Sequence, residues 1–268
     1  MRDILSDIIA DKRIELASRM EALPLETLRE QALACIRERL SMSEALSGSE
    51  SGIIAEFKRK SPSKGWIHRD ASPLSVIPGY ALAGASAVSV LTDAKYFGGS
   101  LKFIRSVRNA VTLPILRKDF IISEYQLLEA RLYGADAVLL IAACLSADEC
   151  RSLVRKAHEL GLEVLLEIHS ESELAYIAEG VDMVGINNRN LGSFVTDVRN
   201  SFRLAEALRS AVAEKCEKMP VLVSESGISD PATVRDLRDA GFRGFLMGEN
   251  FMKTDDPART LSEFIAAL

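Results

Sequence analysis

No apolar run in this chain of 268 residues approaches the about 20 residues that a membrane-spanning helix needs. A secretory leader is not expected either, because Asp3, Asp7, Asp11, Lys12 and Arg13 break up the first apolar residues. Cysteine is scarce. The four thiols, Cys35, Cys144, Cys150 and Cys216, lack CxxC or other zinc spacing, so reduced thiols in a cytoplasmic protein are expected. The three histidines, His68, His158 and His169, form neither HxxxH nor HExxH, which argues against a metal site built on them. Cationic excess is missing as well. A net charge of −5 argues against broad nucleic-acid or anionic-membrane binding, though it permits a local cationic pocket. With 48% hydrophobic and 26% charged residues, the chain has the composition of a soluble globular protein that can bury a sizeable core.

Against that background one stretch stands out, IIAEFKRKSPSKG at 53–65. The apolar run Ile53-Ile54-Ala55 suits a buried strand, and Glu56, Lys58, Arg59, Lys60, Ser61 and Lys64 follow at once. Taken alone, these charges read as a solvated loop. A recurring punctuation changes their meaning. Helical patterns end at Gly84, Gly134, Gly161, Gly180 and Gly241, and a β-rich apolar run follows each within a few residues. The runs show little alternation, as expected of parallel strands covered on both faces. Eight strands are expected, near 53–57, 86–90, 113–117, 137–141, 163–167, 182–186, 221–225 and 243–247. Eight alternating units in about 215 residues point to the α/β class as a closed (β/α)8 TIM barrel. A doubly wound open sheet would call for a GxGxxG turn after its first strand, where this chain has KRKSPSKG.

Residues 1–47 precede the barrel as a helical extension packed on a single domain spanning 1–268. Ile4, Leu5, Ile8 and Ile9 share one helical face. Pro24 starts a second helix with Leu25, Leu28, Ala32, Cys35 and Ile36 on its apolar side, and 47–52 is a linker.

Chemistry in such a barrel sits at the C-terminal strand ends. Those ends carry Glu56 and Lys58, then Asp93 and Phe97, then Lys118, Asp119 and Phe120, then Glu167, Asn187, Asn188 and Arg189, and finally Glu225 with Ser226. Each also has a structural reading. Lys58 and Lys118 could serve as ion-pair partners of Glu56 and Glu167, and Phe97 and Phe120 as packing. Asp119 is expected to pair with a neighbouring cation. His169 is set aside as a bystander, and Trp66 with 67–69 as mobile-loop residues. Gly227 and Gly248 follow the last two strands, a joint position suited to a phosphate.

These residues resemble the indole-3-glycerol phosphate synthase family, most specifically in IIAEFKRKSPSKG, LRKDF, LLEIHSESEL, GINNRNL and SESGI. The resemblance covers most of the chain. It implies decarboxylating ring closure of 1-(2-carboxyphenylamino)-1-deoxyribulose 5-phosphate in tryptophan biosynthesis, with no cofactor and no metal. It casts Lys118 as general acid, its pKa brought toward working pH by burial or nearby cations, and Glu167 as general base. Lys58 becomes an assisting acid and phosphate contact, with Glu56 and Asn187 orienting the lysines and sugar hydroxyls. Ser61 lies near the anthranilate carboxylate, Arg189 holds the Asn187 loop, and Glu225 and Ser226 belong to the same polar ring. Pro62, Phe97, Phe120, Leu139 and Leu191 form the wall for the aromatic ring. Gly227, Gly248 and Glu249 receive the phosphate. Glu249 replaces the family's usual small hydroxyl residue, and its side chain is expected to turn outward. Arg59, Lys60 and Lys64 are assigned to loop charge. The implied partner is a small phosphorylated molecule, neither nucleic acid nor membrane; association with other tryptophan-pathway enzymes is left open by these residues. Two alternatives remain beside this one. One is a sister barrel such as phosphoribosylanthranilate isomerase, which wants a strand-end Cys that this chain does not supply. The other is a barrel that binds a phosphorylated ligand without catalysis.

Overall fold

A computed structural model describes residues 4–177, 180–190 and 195–268. Eight parallel strands close into a barrel: β1 Ile53–Phe57, β2 Ala87–Leu91, β3 Ile115–Lys118, β4 Ala137–Ile141, β5 Glu163–Ile168, β6 Met183–Asn187, β7 Val221–Glu225 and β8 Gly244–Met247. The ring closes where Ile54 pairs with Ala87 on one side and Leu246 on the other. The expected architecture is therefore present, and the five punctuating glycines all take positive φ. The third strand begins later than expected, after Pro114, whose carbonyl accepts a hydrogen bond from the Val88 amide. Lys118 is consequently the last residue of β3 rather than the first of its loop.

The strands read as continuous apolar runs because both faces are buried. Ile54, Ala87, Leu116, Leu139, Leu165, Met183, Val223 and Leu246 fill the lumen. Their strand neighbours, such as Ile53, Ala55, Val88, Ile115, Leu140 and Leu166, pack outward under the helices. Side chains alternate with a period of two. One step of two beyond the lumen layer therefore points Glu56, Lys118, Glu167 and Glu225 into the mouth of the barrel, and two such steps beyond Met183 place Asn187 there.

The N-terminal segment forms three helices, α1 Ile4–Ala22, α2 Leu25–Ala34 and α3 Met42–Ser47. Helix α2 stops short of Cys35 and Ile36, and Ile36 is 98% exposed, so neither extends its apolar face as expected. Instead the chain turns so that Arg37 pairs with the buried Asp136 at 2.8 Å. This leads into α3, whose Met42 and Leu46 enter the lumen layer from below. Helix α1 crosses the opposite end. Its buried Lys12 lies 2.9 Å from Asp93 and 3.1 Å from Asp119. One segment thus plugs the bottom of the barrel and covers part of its mouth.

Candidate active site

The mouth opens into a cavity of about 570 Å3. Its charged floor is built around the Lys118 ammonium, 3.0 Å from Glu167 Oε2 and 3.2 Å from Glu225 Oε2. Beside it Lys58 pairs with Glu56 at 2.5 Å. The local backbone is shaped for these side chains. Gly185 in β6 leaves space that Glu225 Oε1 occupies, since a Cβ there would come within 2.2 Å of that oxygen. Gly248 does the same for Glu56, whose carboxylate would lie 2.6 Å from an added Cβ. Ser226 is the one non-glycine among the described residues with positive φ, at 71°, and Gly227 follows at 77°. Such strained backbone persists where surrounding contacts over-determine it.

Burial disfavours the charged form of Lys118, yet Glu167, Glu225 and Glu56 outweigh it and hold its pKa well above that of an ordinary lysine. This corrects the expectation that its surroundings lower it, because its near neighbours are carboxylates rather than cations. Burial also opposes ionisation of Glu167, but Lys118, then His169 and Asn187, hold that carboxyl well below its usual range. Glu225 goes the other way. Burial pushes it up to about 8, Lys118 opposes the rise, and the Glu167 charge adds to it. Although Lys118 is near, no hydrogen bond aligns on either Glu225 oxygen. The ring therefore holds an ionised Glu167, a protonated Lys118 and a carboxyl, Glu225, that titrates near neutrality.

The opposite wall is apolar. Phe97 and Phe120 face the cavity with ring centroids 6.1 Å apart, joined by Leu139 and Pro62. Leu191 lies outside the described residues. Ile4, Leu5 and Ile8 of α1 also line the cavity. Their helical spacing was legible, but nothing in the sequence said what that face covers.

Other residues fall in unexpected places. Ser61 is buried and off the cavity wall, and its hydroxyl accepts a hydrogen bond from the Lys64 amide. Lys60–Ser61 and Gly65–Trp66 pair as a small hairpin. Trp66 is flanked by Arg59, Lys60 and Arg69 at 5.7, 5.8 and 4.9 Å, and Arg59 also donates to the Gly98 carbonyl at 2.7 Å. Arg59 thus links this hairpin to the loop after β2. Lys64, assigned to loop charge, pairs across the mouth with Glu249, so Glu249 does not turn outward. His169, set aside as a bystander, lies 3.3 Å from Glu167 Oε1 and 3.6 Å from Glu173. These contacts are ionic rather than aligned hydrogen bonds. Asp119 does pair with cations, Arg117 at 2.9 Å and Lys12. Arg189 extends from the Asn187 loop to Thr196, at 3.2 Å, and to Ser63. Asn188 ties that loop to Ser224 and Ser201. Among the described residues no group of three His, Cys, Asp or Glu side chains is arranged to hold a metal ion.

Fold and site together define a (β/α)8-barrel enzyme with a charged ring at its C-terminal mouth. The family model for Indole-3-glycerol phosphate synthase matches residues 5–264, and the chain belongs to that family. An indole-3-glycerol phosphate synthase of Bacteroides thetaiotaomicron is 59% identical over 268 residues, covering 100% of both chains. Those of Burkholderia vietnamiensis and Polaromonas sp. are 41% and 40% identical over 267 residues, covering 98% of both chains. A solved structure of 3-hexulose-6-phosphate synthase is similar with a TM-score of 0.61 at 15% identity, over 81% of this chain and 99% of that one, a likeness of fold alone.

Proposed function

We propose that this member of the family closes the indole ring of 1-(2-carboxyphenylamino)-1-deoxyribulose 5-phosphate around Lys118, forming indole-3-glycerol phosphate, carbon dioxide and water. The observation that carries the reading is the Lys118 ammonium set between Glu167 and Glu225 and faced by an aromatic wall. The anthranilate carbon bearing the carboxylate attacks the sugar C2 carbonyl. Lys118 donates a proton to the carbonyl oxygen, which becomes a hydroxyl. Its raised pKa keeps that proton in place at neutral pH and favours a charge-assisted hydrogen bond to the developing oxyanion. The C–C bond to the carboxylate then breaks and releases carbon dioxide. Dehydration follows. The C2 hydroxyl takes a proton from Lys58 or Lys118 and leaves as water, while an ionised Glu167 accepts the remaining proton.

Glu56 holds Lys58, and Asn187 orients Glu167. Phe97, Phe120 and Leu139 stack on the anthranilate ring and withhold water from its carboxylate. The phosphate lies against the Ser226, Gly227 and Gly248 loops, near Lys58. A cytoplasmic setting suits the four scattered cysteines, which lack CxxC spacing. The experiment is a fluorescence assay for indole-3-glycerol phosphate with wild type, Lys118→Ala and Glu167→Gln. Product from wild type is expected, with a loss of about 10²–10⁴-fold in each variant. No product from folded wild type would overturn the function, and wild-type turnover in either variant would overturn that residue's role.

A further inference from the structure

Glu249 stands where a carboxylate would repel a bound phosphate, yet the structure does not turn it away from the cavity. It lines the cavity with Ser226, Gly227 and Gly248. Two cations from different loops hold it. Lys64 of the hairpin after β1 donates to Oε1, and Arg189 after β6 approaches Oε2 at 3.5 Å. Arg189 is itself directed by Thr196 and by Ser63, at 3.2 and 3.3 Å. Lys58 is 2.5 Å from Glu56, and Lys253 also lines the cavity. Lys64, Arg189 and Lys58 therefore each face a carboxylate of the protein itself. An incoming phosphate that takes Lys64 or Arg189 as a partner meets a carboxylate already held there. Of the two carboxylates, Glu56 is 3% exposed and packed against Gly248. The Glu249 side chain is 29% exposed and held only at its tip, which makes it the one free to leave.

We propose that the Glu249 carboxylate is a resident anion that occupies the phosphate's cationic partners in the empty site and is displaced from Lys64 and Arg189 when a phosphorylated ligand binds. The inference rests on the reading of the Gly227 and Gly248 loops as the phosphate cradle. It makes Glu249 an affinity-setting residue. The carboxylate keeps the hairpin and the Arg189 loop together before substrate arrives, and its displacement weakens the binding of every phosphate ester. Burial opposes ionisation of Glu249, but Lys64, then Arg189 and Lys58, offset it and hold its pKa below the usual value, so the anion is present at neutral pH.

A simple strap across the mouth would use the same contacts. The two roles separate when the pair is cut from opposite sides. Substrate KM and the inhibition constant of inorganic phosphate are measured for wild type, Glu249→Gln, Glu249→Ser and Lys64→Met, all full-length. Removing the competing anion should lower both constants by about two- to fivefold in the two Glu249 variants, the scale of a partly exposed pair. Removing Lys64 takes away a phosphate partner and should raise both. Movement of Glu249 and Lys64 variants in the same direction would identify a strap and overturn the proposal, as would unchanged constants in Glu249→Gln and Glu249→Ser. If inorganic phosphate inhibits neither wild type nor any variant while turnover is normal, the cradle reading itself falls and the proposal with it.

Discussion

Arg117 and Lys118 are adjacent in β3, and the period of two sends them to opposite faces of the barrel wall. Arg117 is fully buried and points outward into a largely buried network. It donates to the Gln126 carbonyl at 2.6 Å, to Asp119 at 2.9 Å and to Glu129 at 3.2 Å. Lys12 adds a second cation on Asp119, and Arg19 a second on Glu129. Asp119 and Glu129 thus each face two cations and accept hydrogen bonds. Lys118 points inward, where the match fails. With Lys58 it faces Glu56, Glu167 and Glu225, and Glu225 is left without an aligned hydrogen bond. Both clusters are buried and both perturb pKa values. Asp119 is held far below its usual value by Arg117 and Lys12 against the effect of burial, much as Glu167 is by Lys118. The difference lies in what is left over. A carboxylate set between two cations has one protonation state; the lumenal ring keeps one carboxyl, Glu225, close to titration beside a Lys118 that stays protonated.

Exchanging the two cations in turn for methionine should break this comparison most sharply. Lys118→Met should abolish turnover, by at least about 10³-fold, with a smaller loss of melting temperature than Arg117→Met, since Glu225 already carries a proton near neutrality and His169 still faces Glu167. Arg117→Met should leave Asp119 and Glu129 buried beside fewer cations, costing about 3–5 kcal/mol and roughly 10 °C in Tm, with the folded fraction still turning over substrate. Equal loss of activity in both, or equal loss of stability, would show that the faces are not separable.

How far the sequence foretold these clusters follows from the same geometry. The strand ends, the glycine punctuation and the mouth residues Glu56, Lys118, Glu167, Asn187 and Glu225 were legible because each lies at a fixed step from an apolar run. The direction of the Lys118 shift was not, because it depends on carboxylates from β1, β5 and β7 that only barrel closure brings together. Arg117 passed unnoticed because one residue separates a structural cation from a lumenal one. Lys12, 106 residues before Lys118, gave no sign of reaching Asp119. His169 was discounted for sitting past its strand end, although the turn there brings its ring back to Glu167. Helix α3 was hidden in a stretch too short to show periodicity.

Glu225 sharpens the comparison through pH. Its ordinary value is 4.5, and burial raises it to about 8 in the folded protein. Between those values the folded state binds a proton that the unfolded chain has lost. The contribution is complete below pH 4.5 and declines as pH rises toward 8, by up to about 1.4 kcal/mol per pH unit. Glu225→Gln cannot titrate, so melting curves from pH 5 to 8 should show wild type losing stability relative to the variant. Parallel curves would mean that Lys118 keeps Glu225 ionised throughout.

The smallest effect belongs at the other end of the barrel, where nothing titrates for chemistry. Glu163, the first residue of β5, accepts from Ser41 Oγ at 2.6 Å, the Met42 and Ser43 amides at 2.7 and 2.9 Å, and Ser43 Oγ at 2.8 Å. These contacts cap α3 and hold Met42 and Leu46 in the lumen. A carboxylate at a helix start satisfies amides that otherwise lack partners, so Glu163→Ala should cost about 1–2 kcal/mol. Substrate KM should stay within about twofold of wild type, because Leu116, Leu139, Leu165 and Val223 lie between the plug and the charged ring and are close-packed. A thermal melt alongside steady-state kinetics decides the matter. If KM moves as much as stability does, the apolar lumen transmits strain from the plug to the site, and the two ends of the barrel are one mechanical unit rather than a foundation and a workplace.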